Sequence, residues 1–418
     1  MVAPDPRARL APGAPLPDAD RVERTERVVV CGAGPTGVFL ALTLARAGVA
    51  VLLLEKGDDL SAESRASTFH PPTLELLDEL GVAEDVVARG LRAPTTQFRD
   101  RRLGPVATFD LGVLADLTRF PFRIQLEQDK AARLGLARLA AEHAERVEVR
   151  FGWRAHGVVA HDADVVRLVV GTDEGVVELV APWVVATDGA HSAVRTSIGL
   201  DLVGETYPEH FLVASVADEL TEHLDDLALV NYVADPDEWL VLLRTPDHWR
   251  VLFPIPGADA EAALAPDALQ RRLDGVVDVG RPWAVLGASL YVVSRRVAER
   301  MRVGRVLLAG DAAHQNSPLG GMGMNSGIQD AVSCGRRLAR VLAGEPDALL
   351  DEYDVNRRRV ATEYVQADAH ANWLALREPD PARRRELQEE LRAVAADPAR
   401  HRERVMRTAM LDAVRGSL

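Results

Sequence analysis

Short apolar runs and a helical pattern alternate near the beginning of the chain. The apolar run 28–31 is followed by a glycine-rich turn, by a helical pattern over 38–47 and by a second apolar run over 49–54. Short apolar runs bounded by turn residues are typical of strands that are buried on both faces of a parallel sheet. The pattern therefore predicts a βαβ unit with parallel strands. Similar patterns predict helices over 74–80, 131–144 and 326–342 and buried strands over 147–151, 183–186 and 305–309.

The middle of the chain has a different pattern, in which strand-like segments follow one another. Residues 158–180 alternate as in a β-hairpin whose turn lies at 171–175. The alternation resumes after residue 210, with a turn at 245–248 where proline and aspartate favour a chain reversal. An antiparallel sheet is predicted here, with strands over 211–217, 228–233, 239–244, 249–253 and 285–293.

The two ends of the chain differ from its middle. The first 25 residues are rich in Pro, Ala, Asp and Arg without an apolar segment, which predicts a flexible arm rather than a signal peptide. Residues 378–418 are highly charged, with apolar residues at helical spacing, which predicts a helical tail. Arginines 383–385 could indicate nucleic acid, but acidic residues alternate with the basic ones, so we interpret the segment as a solvated helix face.

Composition narrows the class of protein. The 418 residues suggest two or three domains of about 150 residues. The 63 acidic and 49 basic residues give a net charge of −14, which argues against a general nucleic-acid binder. Cys31 and Cys334 are too few for a disulfide framework and lack metal-ligand spacing, so both are interpreted as buried core residues and no metal is expected. No apolar run approaches the roughly 18 residues of a membrane span, and a cytoplasmic protein is expected.

A Gly-x-Gly-x-x-Gly motif lies between the first predicted strand and helix. The first glycine permits a tight turn, the second lets a pyrophosphate approach the backbone, and the third allows close packing of helix and strand. The helix N-terminus supplies free N–H groups and a positive dipole end for phosphates. Glu55, 18 residues after Gly37, can accept hydrogen bonds from an adenosine ribose and disfavours a 2′-phosphate. The motif predicts that FAD or NAD is bound by Gly32, Gly34, Pro35, Thr36, Gly37, Glu55 and Lys56.

Further segments favour FAD over NAD. Gly310 and Asp311 follow the predicted strand 305–309, where a carboxylate can bind a ribityl hydroxyl, a group that NAD lacks. Four glycines between 318 and 327 can press bare backbone against a flat ring. A helix that starts near Asn325 points its positive end the same way, which favours negative charge on a reduced flavin. The turn Thr187-Asp188-Gly189 offers a further nucleotide contact.

Taken together, the glycine motif, the segment 188–195 and Gly310-Asp311-Ala312-Ala313-His314 with its glycine loop resemble the flavin-dependent aromatic monooxygenases, the class A hydroxylases typified by para-hydroxybenzoate hydroxylase. The resemblance covers about residues 26 to 376. It implies an α/β fold, with a Rossmann-like FAD-binding domain of glutathione-reductase type, an inserted antiparallel β-sheet substrate domain and a C-terminal helical tail. The chain then divides into a flexible arm (1–25), a first FAD-binding part (26–200), a substrate-binding sheet (201–293), a second FAD-binding part (294–376) and a charged helical tail (377–418). Within the first part, residues 93–120 are expected on the substrate side. The thioredoxin-like domain of the phenol hydroxylase branch is not expected.

The resemblance also implies roles for single residues. Arg65 matches the arginine that contacts the FAD phosphate region and moves with NAD(P)H, and Gln128 matches a glutamine near the sugar-phosphate chain. Asp188 is associated with the pyrophosphate and NAD(P)H, and Asp311 with the ribityl chain. Pro318, in Ser-Pro where the family often has Pro-Pro, lies beside the flavin ring, and its carbonyl accepts a hydrogen bond during flavin protonation. Asn325 lies under the pyrimidine edge of the ring, and Pro318 and Asn325 are the two implied catalytic residues. The other implied cofactor contacts are Gly310, Gly321, Gly323 and Met324.

The activity that the resemblance implies is hydroxylation of a phenolic or N-heteroaromatic small molecule. NADPH or NADH reduces the FAD, O2 adds at the flavin C4a to give a hydroperoxide, and the ring takes its distal oxygen. Two alternatives remain open: another FAD oxidoreductase (an epoxidase, Baeyer–Villiger enzyme or oxidase) on the same scaffold, or a non-catalytic flavoprotein that binds a ligand. His314 is interpreted as structural, although a role as a base is the alternative.

Aromatic residues indicate where a substrate would lie. The segment 201–293 holds eight of the 20 aromatic residues, about twice an even share. Side chains alternate between the faces of a strand, so about half of them point away from a pocket on one face. Arg244 could pair with a substrate carboxylate or face solvent. The candidates for substrate contact are Tyr232, Trp239, Arg244, His248, Trp249 and Phe253.

Overall fold

The computed structural model describes residues 5–11, 13–62 and 66–414. Its strands are, in chain order, β1 (Arg21–Arg24), β2 (Val28–Cys31), β3 (Val51–Leu54), β4 (Thr68–Phe69), β5 (Leu91–Ala93), β6 (Thr95–Asp100), β7 (Gly104–Asp110), β8 (Arg123–Gln125), β9 (Val147–Arg150), β10 (Arg154–His161), β11 (Val166–Thr172), β12 (Gly175–Ala181), β13 (Val184–Ala186), β14 (Leu202–Val216), β15 (Val230–Ala234), β16 (Leu240–Arg244), β17 (Trp249–Pro256), β18 (Val285–Ala298), β19 (Arg302–Val303), β20 (Val306–Leu308) and β21 (His314–Gln315).

The helices are α1 (Pro35–Arg46), α2 (Pro71–Glu79), α3 (Ala83–Arg89), α4 (Gln128–Glu142), α5 (Ala193–Ser197), α6 (Ala260–Ala263), α7 (Pro266–Asp274), α8 (Gly323–Leu342), α9 (Ala348–Val360), α10 (Ala367–Leu376), α11 (Pro381–Ala396), α12 (Pro398–Thr408) and α13 (Leu411–Val414). A π-helical segment, Ala361–Gln366, joins α9 to α10. Among the described residues, no helix has both the length and the apolar character needed to cross a membrane.

A parallel sheet lies at the centre of the FAD-binding motifs. Its strand order is β19-β20-β13-β2-β3-β9, and β19 is antiparallel to β20 while the others are parallel. Every residue of β2, β3, β13 and β20 is buried, as expected for parallel strands covered on both faces. Helix α1 follows β2, leads into β3 and packs against α4 and α8. The predicted βαβ unit is therefore present, and the predicted α/β fold class is confirmed.

A second, eight-stranded sheet has the order β21-β18-β14-β17-β16-β15-β6-β7. All pairs are antiparallel except β15 with β6, through which residues 95–110 join the sheet. Its faces bury different residues. Trp249, Val251 and Phe253 of β17 belong to a core that includes residues of α6 and α7, whereas Leu252 belongs with Tyr232 to a core on the other face.

The N-terminal segment corrects one prediction. Strand β1 pairs in parallel with β12 in a four-stranded sheet of order β1-β12-β11-β10. The Pro6 carbonyl lies 2.7 Å from the His156 Nε2 atom, and Arg7 forms an ion pair with Asp173 at 2.7 Å. The expectation of a flexible arm over 1–25 is therefore wrong for its described part, because strand pairing and ion pairs hold this segment to the sheet.

The C-terminal helices pack on the eight-stranded sheet. Val405 of α12, Ala409 just after this helix and Leu411 of α13 share an apolar core with Phe109 of β7. Helix α11 buries little besides Gln388, in agreement with the predicted solvated face. The tail is therefore helical, but its last part forms a packed layer beside the end of β7 and not a free appendage.

Candidate flavin site and adjoining cavity

The first two predicted motifs meet at the carboxyl ends of β2 and β13. The Thr187 hydroxyl donates to the carbonyl oxygens of Cys31 and Gly32 at 2.9 and 2.8 Å. Gly32 has a φ of +105°, and a Cβ atom there would lie 2.6 Å from the Thr187 carbonyl oxygen. A Cβ atom at Gly37 would lie 1.9 Å from the Gly32 carbonyl oxygen. The close approach of these backbones requires glycine at both positions.

Thr36 connects the first motif to the third. Cβ atoms at Gly310 and Gly327 would lie 2.5 and 2.6 Å from the Thr36 hydroxyl oxygen, so both glycines let their backbone pack on this side chain. Gly310 also has a φ of +61°. The structure thus brings the turn after β20 and the first turns of α8 against the start of α1, at the edge where ligands bind in open α/β sheets.

The start of α1 is open for an anion. Gly34 caps the helix without a side-chain hydrogen bond, Pro35 follows in the first turn, and a Cβ atom at Gly34 would meet nothing within 4 Å. A helix N-terminus without a side-chain cap leaves backbone N–H groups for a phosphate. Glu55 lies beside this turn, where its Oε2 accepts a hydrogen bond from the Ala33 N–H at 2.9 Å.

Asp188 is buried in the second motif. Its Oδ2 accepts hydrogen bonds from the Ala193 and Val194 N–H groups, and Ser192 caps α5. Burial raises the pKa of Asp188, against the lowering effect of these donors. The other oxygen, Oδ1, is buried and accepts no hydrogen bond from the described residues. A buried polar atom of this kind calls for a partner such as a ligand or water.

A buried ion network, which the sequence analysis missed, holds the third motif. Asp330 of α8 accepts hydrogen bonds from the Gly310 N–H at 3.0 Å and from the Arg357 Nε at 2.6 Å, and its Oδ2 lies 2.7 Å from the His314 Nε2. Burial raises the pKa of Asp330, but His314 and Arg357 together lower it below its usual value. His314 is therefore the structural residue that was expected. The spacing of Asp330 and Arg357 gave no signal, since only tertiary packing joins α8 to α9.

The loop before α8 is clamped by side chains. Asn325 is fully buried, and its Nδ2 donates to the carbonyl oxygens of Thr68 and Gly321, both at 2.7 Å. Its Oδ1 accepts from the His70 N–H at 2.8 Å. Both amide hydrogens are used, so the Asn325 side chain positions the loop, and the catalytic role expected for this residue stays a prediction. The Pro318 carbonyl accepts a hydrogen bond from the Gly321 N–H at 2.9 Å and keeps one lone pair for another donor.

The remaining candidates differ in their exposure. Lys56, Asp311 and Pro318 are exposed, and Gln128, at the start of α4, is half-buried. Gly321 has a φ of +66°, and Gly323 and Met324 form the first turn of α8. Arg65 lies outside the described residues.

A small cavity adjoins the loop. Phe98 stacks on Tyr232 with ring centroids 5.3 Å apart, and Phe109 meets Phe98 edge to face. The flavin loop closes another side with Gly320 and Met322. The cavity therefore lies between the aromatic face of the eight-stranded sheet and the loop. Its lining residues are Thr96, Phe98, Phe109, Arg123, Tyr232, Gly320, Met322, Asp368, Asn372, Arg404 and Thr408.

Of the predicted substrate contacts, the structure places only Tyr232 in this lining. Trp239 is buried on the same face of the sheet, where it packs edge to face on Phe211. Trp249 and Phe253 lie in the core on the opposite face, so their assignment to the substrate wall is corrected. The Arg244 guanidinium donates a hydrogen bond at 3.0 Å to Glu219, which also accepts one from the Trp249 indole, so the assignment of Arg244 to the substrate wall is corrected as well. For Trp249 and Phe253, the alternation of side chains along β17 places both on the face opposite to Tyr232.

Arg123 of β8 is a cavity residue that the sequence analysis missed. It is 3% exposed, and its Nη2 donates to the Thr408 carbonyl oxygen at 3.1 Å. Its Nε and Nη1 groups donate no hydrogen bond to the described residues. Burial lowers the pKa of Arg123, while the Tyr232 hydroxyl raises it. A buried cation with unused N–H groups is costly unless an anion or polar ligand meets it.

The site formed by the three motifs has features that fit FAD. An uncapped helix start, a glycine cradle that any Cβ would fill and the unpartnered Asp188 Oδ1 suit a pyrophosphate, a ribose and their bound waters. The acid Asp311 is exposed beside this cradle, as a ribityl contact would require. These features define an FAD-binding oxidoreductase with a separate, aromatic-walled cavity.

Comparisons with known proteins agree. Residues 25–368 match the family model described as FAD binding domain. The chain is 34% identical over 372 residues to para-nitrophenol 4-monooxygenase from a Pseudomonas species, covering 87% of this chain and 90% of that protein. It is 32% identical to 6-hydroxy-3-succinoylpyridine 3-monooxygenase of Pseudomonas putida, covering 83% and 88%.

Solved structures show the same relationship. The crystal structure of p-nitrophenol 4-monooxygenase from Pseudomonas putida superposes with a TM-score of 0.89 at 32% identity, covering 95% of this chain and all of that one. Aklavinone-11 hydroxylase, solved with FAD and aklavinone, gives a TM-score of 0.76 at 29% identity, covering 86% and 70%. The chain belongs to the flavin-dependent aromatic monooxygenases. It is an FAD enzyme that uses NAD(P)H and O2 to hydroxylate an aromatic substrate.

Glu55→Ala is expected to weaken FAD binding about 10-fold or more without changing the product. The change removes an acceptor for the ribose and leaves the Ala33 and Gly57 N–H groups unpaired, and a hydrogen bond to a charged group contributes about 1.5–3 kcal/mol. Flavin fluorescence titration of the apoprotein measures the affinity, and mass spectrometry identifies the product. A shifted position of hydroxylation would contradict a role confined to the adenosine side.

Proposed function

We propose that the substrate is a single-ring phenol or hydroxypyridine with a polar substituent, bound in the cavity between the eight-stranded sheet and the flavin loop. The observation that carries this proposal is the aromatic wall of Phe98, Phe109 and Tyr232 facing Gly320 and Met322 of the loop. Offset and edge-to-face contacts suit a planar ring. The names of two relatives, which act on a nitrophenol and on a hydroxypyridine, point the same way.

Each wall has a distinct task in this proposal. Gly32, Gly34, Asp311 and the loop 318–325 would hold FAD, which would supply the activation of O2 when bound and reduced. The unused N–H groups of Arg123 donate hydrogen bonds to the oxygen of the ring hydroxyl and stabilise the ionised form that it reaches by losing its proton to water, in which the ring carbon beside it is more electron-rich. The Asn325 and His70 clamp holds the loop still: the His70 Nε2 lies 2.9 Å from the Gly320 carbonyl oxygen, and burial lowers the pKa of His70, so it remains neutral.

The experiment is a substrate screen with the FAD-loaded protein. Candidate phenols and hydroxypyridines are tested for stimulation of NADH and NADPH oxidation, and products are analysed after reaction under 18O2. We expect a single-ring compound to stimulate oxidation and to gain one labelled oxygen. If only compounds with several fused rings stimulate oxidation and gain the label, or if no single-ring phenol or hydroxypyridine does so, the proposed substrate class is wrong.

Tyr232→Leu is expected to raise KM for the best ring substrate about 3- to 10-fold, because an aromatic contact contributes about 0.5–1.5 kcal/mol. Phe253→Leu is the matched control: it removes a buried ring from the opposite face, lowers the free energy of unfolding by about 1 kcal/mol and leaves KM within about twofold. Steady-state kinetics and urea unfolding measure both. Equal KM effects from the two variants would show that the cavity face is assigned wrongly.

A further inference from the structure

Helix α12 forms one wall of the cavity, although it lies beyond the segment 25–368 that matches the family model. The helix is firmly placed: Val405 belongs to the core with Phe109, and Arg402 forms an ion pair with Asp116 at 2.7 Å. Arg404 and Thr408, one turn apart on this helix, both line the cavity. A side chain held on a packed helix is better positioned for recognition than one on a loop.

Arg404 directs its charge toward the cavity. Its guanidinium carbon lies 5.1 Å from the Phe98 ring centroid and 4.8 Å from the Phe109 ring centroid. Among the described residues, none accepts a hydrogen bond from this guanidinium. Asp368, the acid that interacts electrostatically with Arg404, is bound by Arg407 through two hydrogen bonds at 2.8 and 2.6 Å. The planar group is thus oriented by the two rings while its N–H groups remain available.

The charges of the cavity favour an anion. Its lining contains two arginines, Arg123 and Arg404, and one acid, Asp368. Since Asp368 is already paired with Arg407 outside the lining, the cavity carries excess positive charge in a chain whose net charge is −14. A half-buried guanidinium recognises carboxylate or other paired oxygens through its planar fork of donors.

We propose that Arg404 is a specificity-determining residue, which binds an anionic substituent on the aromatic ring, such as a carboxylate, while Arg123 binds the ring hydroxyl. This proposal rests on the proposed function, because it assumes that the ring occupies this cavity. The C-terminal helices thereby select the substrate, and the FAD-binding segments supply the chemistry common to the family.

The test compares two ring compounds of nearly equal shape, 4-hydroxybenzoate and 4-hydroxybenzamide, which differ in one negative charge. Binding to the oxidised holoenzyme is measured by the change in flavin absorbance. The wild-type protein should bind the carboxylate about 10- to 100-fold more tightly than the amide, and Arg404→Gln should remove most of this preference by weakening carboxylate binding. Amide binding and flavin content should stay within about twofold of the wild type.

Arg400→Gln is the matched control, since Arg400 is an exposed arginine on the same helix and its substitution changes the net charge by the same amount. The Arg400→Gln protein should keep the preference for the carboxylate. Arg404→Lys, which keeps the charge but loses the planar fork, should retain part of it. If Arg404→Gln binds both compounds as the wild type does, the inference is wrong although the proposed function stands. If neither compound nor any other ring binds to the wild type, the proposed function itself fails.

Discussion

Asp330→Ala is expected to lower the free energy of unfolding by about 3–5 kcal/mol and to yield protein that no longer retains FAD. Removing the carboxylate leaves the Arg357 guanidinium buried without its counter-charge, and breaking a buried ion pair on one side has a cost of this size. It also removes the acceptor of the Gly310 N–H, which holds the turn that carries Asp311. Urea unfolding and the flavin absorbance of the purified variant measure the two effects.

The matched control is Asp351→Ala on α9. Asp351 is an exposed acid paired with Arg302, so its loss should change stability by less than about 0.5 kcal/mol and leave FAD bound. An Asp330→Ala protein with full flavin occupancy and near wild-type stability would contradict the role given to this network.

The same network predicts a dependence on pH. The pKa of folded Asp330 lies below its usual value of about 4, because His314 and Arg357 outweigh the opposing effect of burial. Its contribution to stability is therefore complete above pH 4 and is lost as the pH falls through the lower folded pKa. Asp330→Asn should lose less stability than the wild type between pH 7 and pH 3, measured by urea unfolding across this range.

Asp311→Ala is expected to weaken FAD binding about 10- to 100-fold, with little change in the stability of the apoprotein. The side chain is exposed at the start of the turn after β20, so its removal disturbs little packing but deletes the proposed acceptor for a ribityl hydroxyl. Fluorescence titration of the apoprotein with FAD gives the affinity, and thermal unfolding without FAD gives the stability.

Asp164→Ala is its control, since Asp164 is an exposed acid between β10 and β11, away from the motifs. This variant should bind FAD as the wild type does. Unchanged FAD affinity in Asp311→Ala would refute the ribityl assignment without touching the family membership, which rests on the similarity over the whole chain.

Asp311 and Asp330 differ in how far the sequence could predict their roles. Asp311 follows a buried strand directly and belongs to a local motif, so the residue order alone indicates its place. Asp330 has no such signal: it lies in the middle of an amphipathic helix, and its partners His314 and Arg357 are 16 and 27 residues away. Only the packing of α8 against the turn and α9 creates the network.

Asn325 and the substrate wall show the same limit. The sequence places Asn325 in the flavin loop, but whether its amide is free depends on Thr68 and His70, more than 250 residues earlier. Aromatic content indicates a sheet with a ring-binding face, yet Trp249 and Tyr232 lie on opposite faces, which depends on strand register. Arg404 comes from the tail, which the sequence presents only as a charged helix.

The sequence by itself determined the α/β class, the FAD-binding motifs and the family resemblance, because these depend on local periodicity and on glycines whose backbone geometry is fixed over a few residues. The tertiary structure decided the rest: which strand faces meet the loop, which buried charges are paired, and which distant helix closes the cavity. These depend on contacts between segments far apart in the chain, where burial and pairing of charges have large energies but leave no fixed spacing in the sequence.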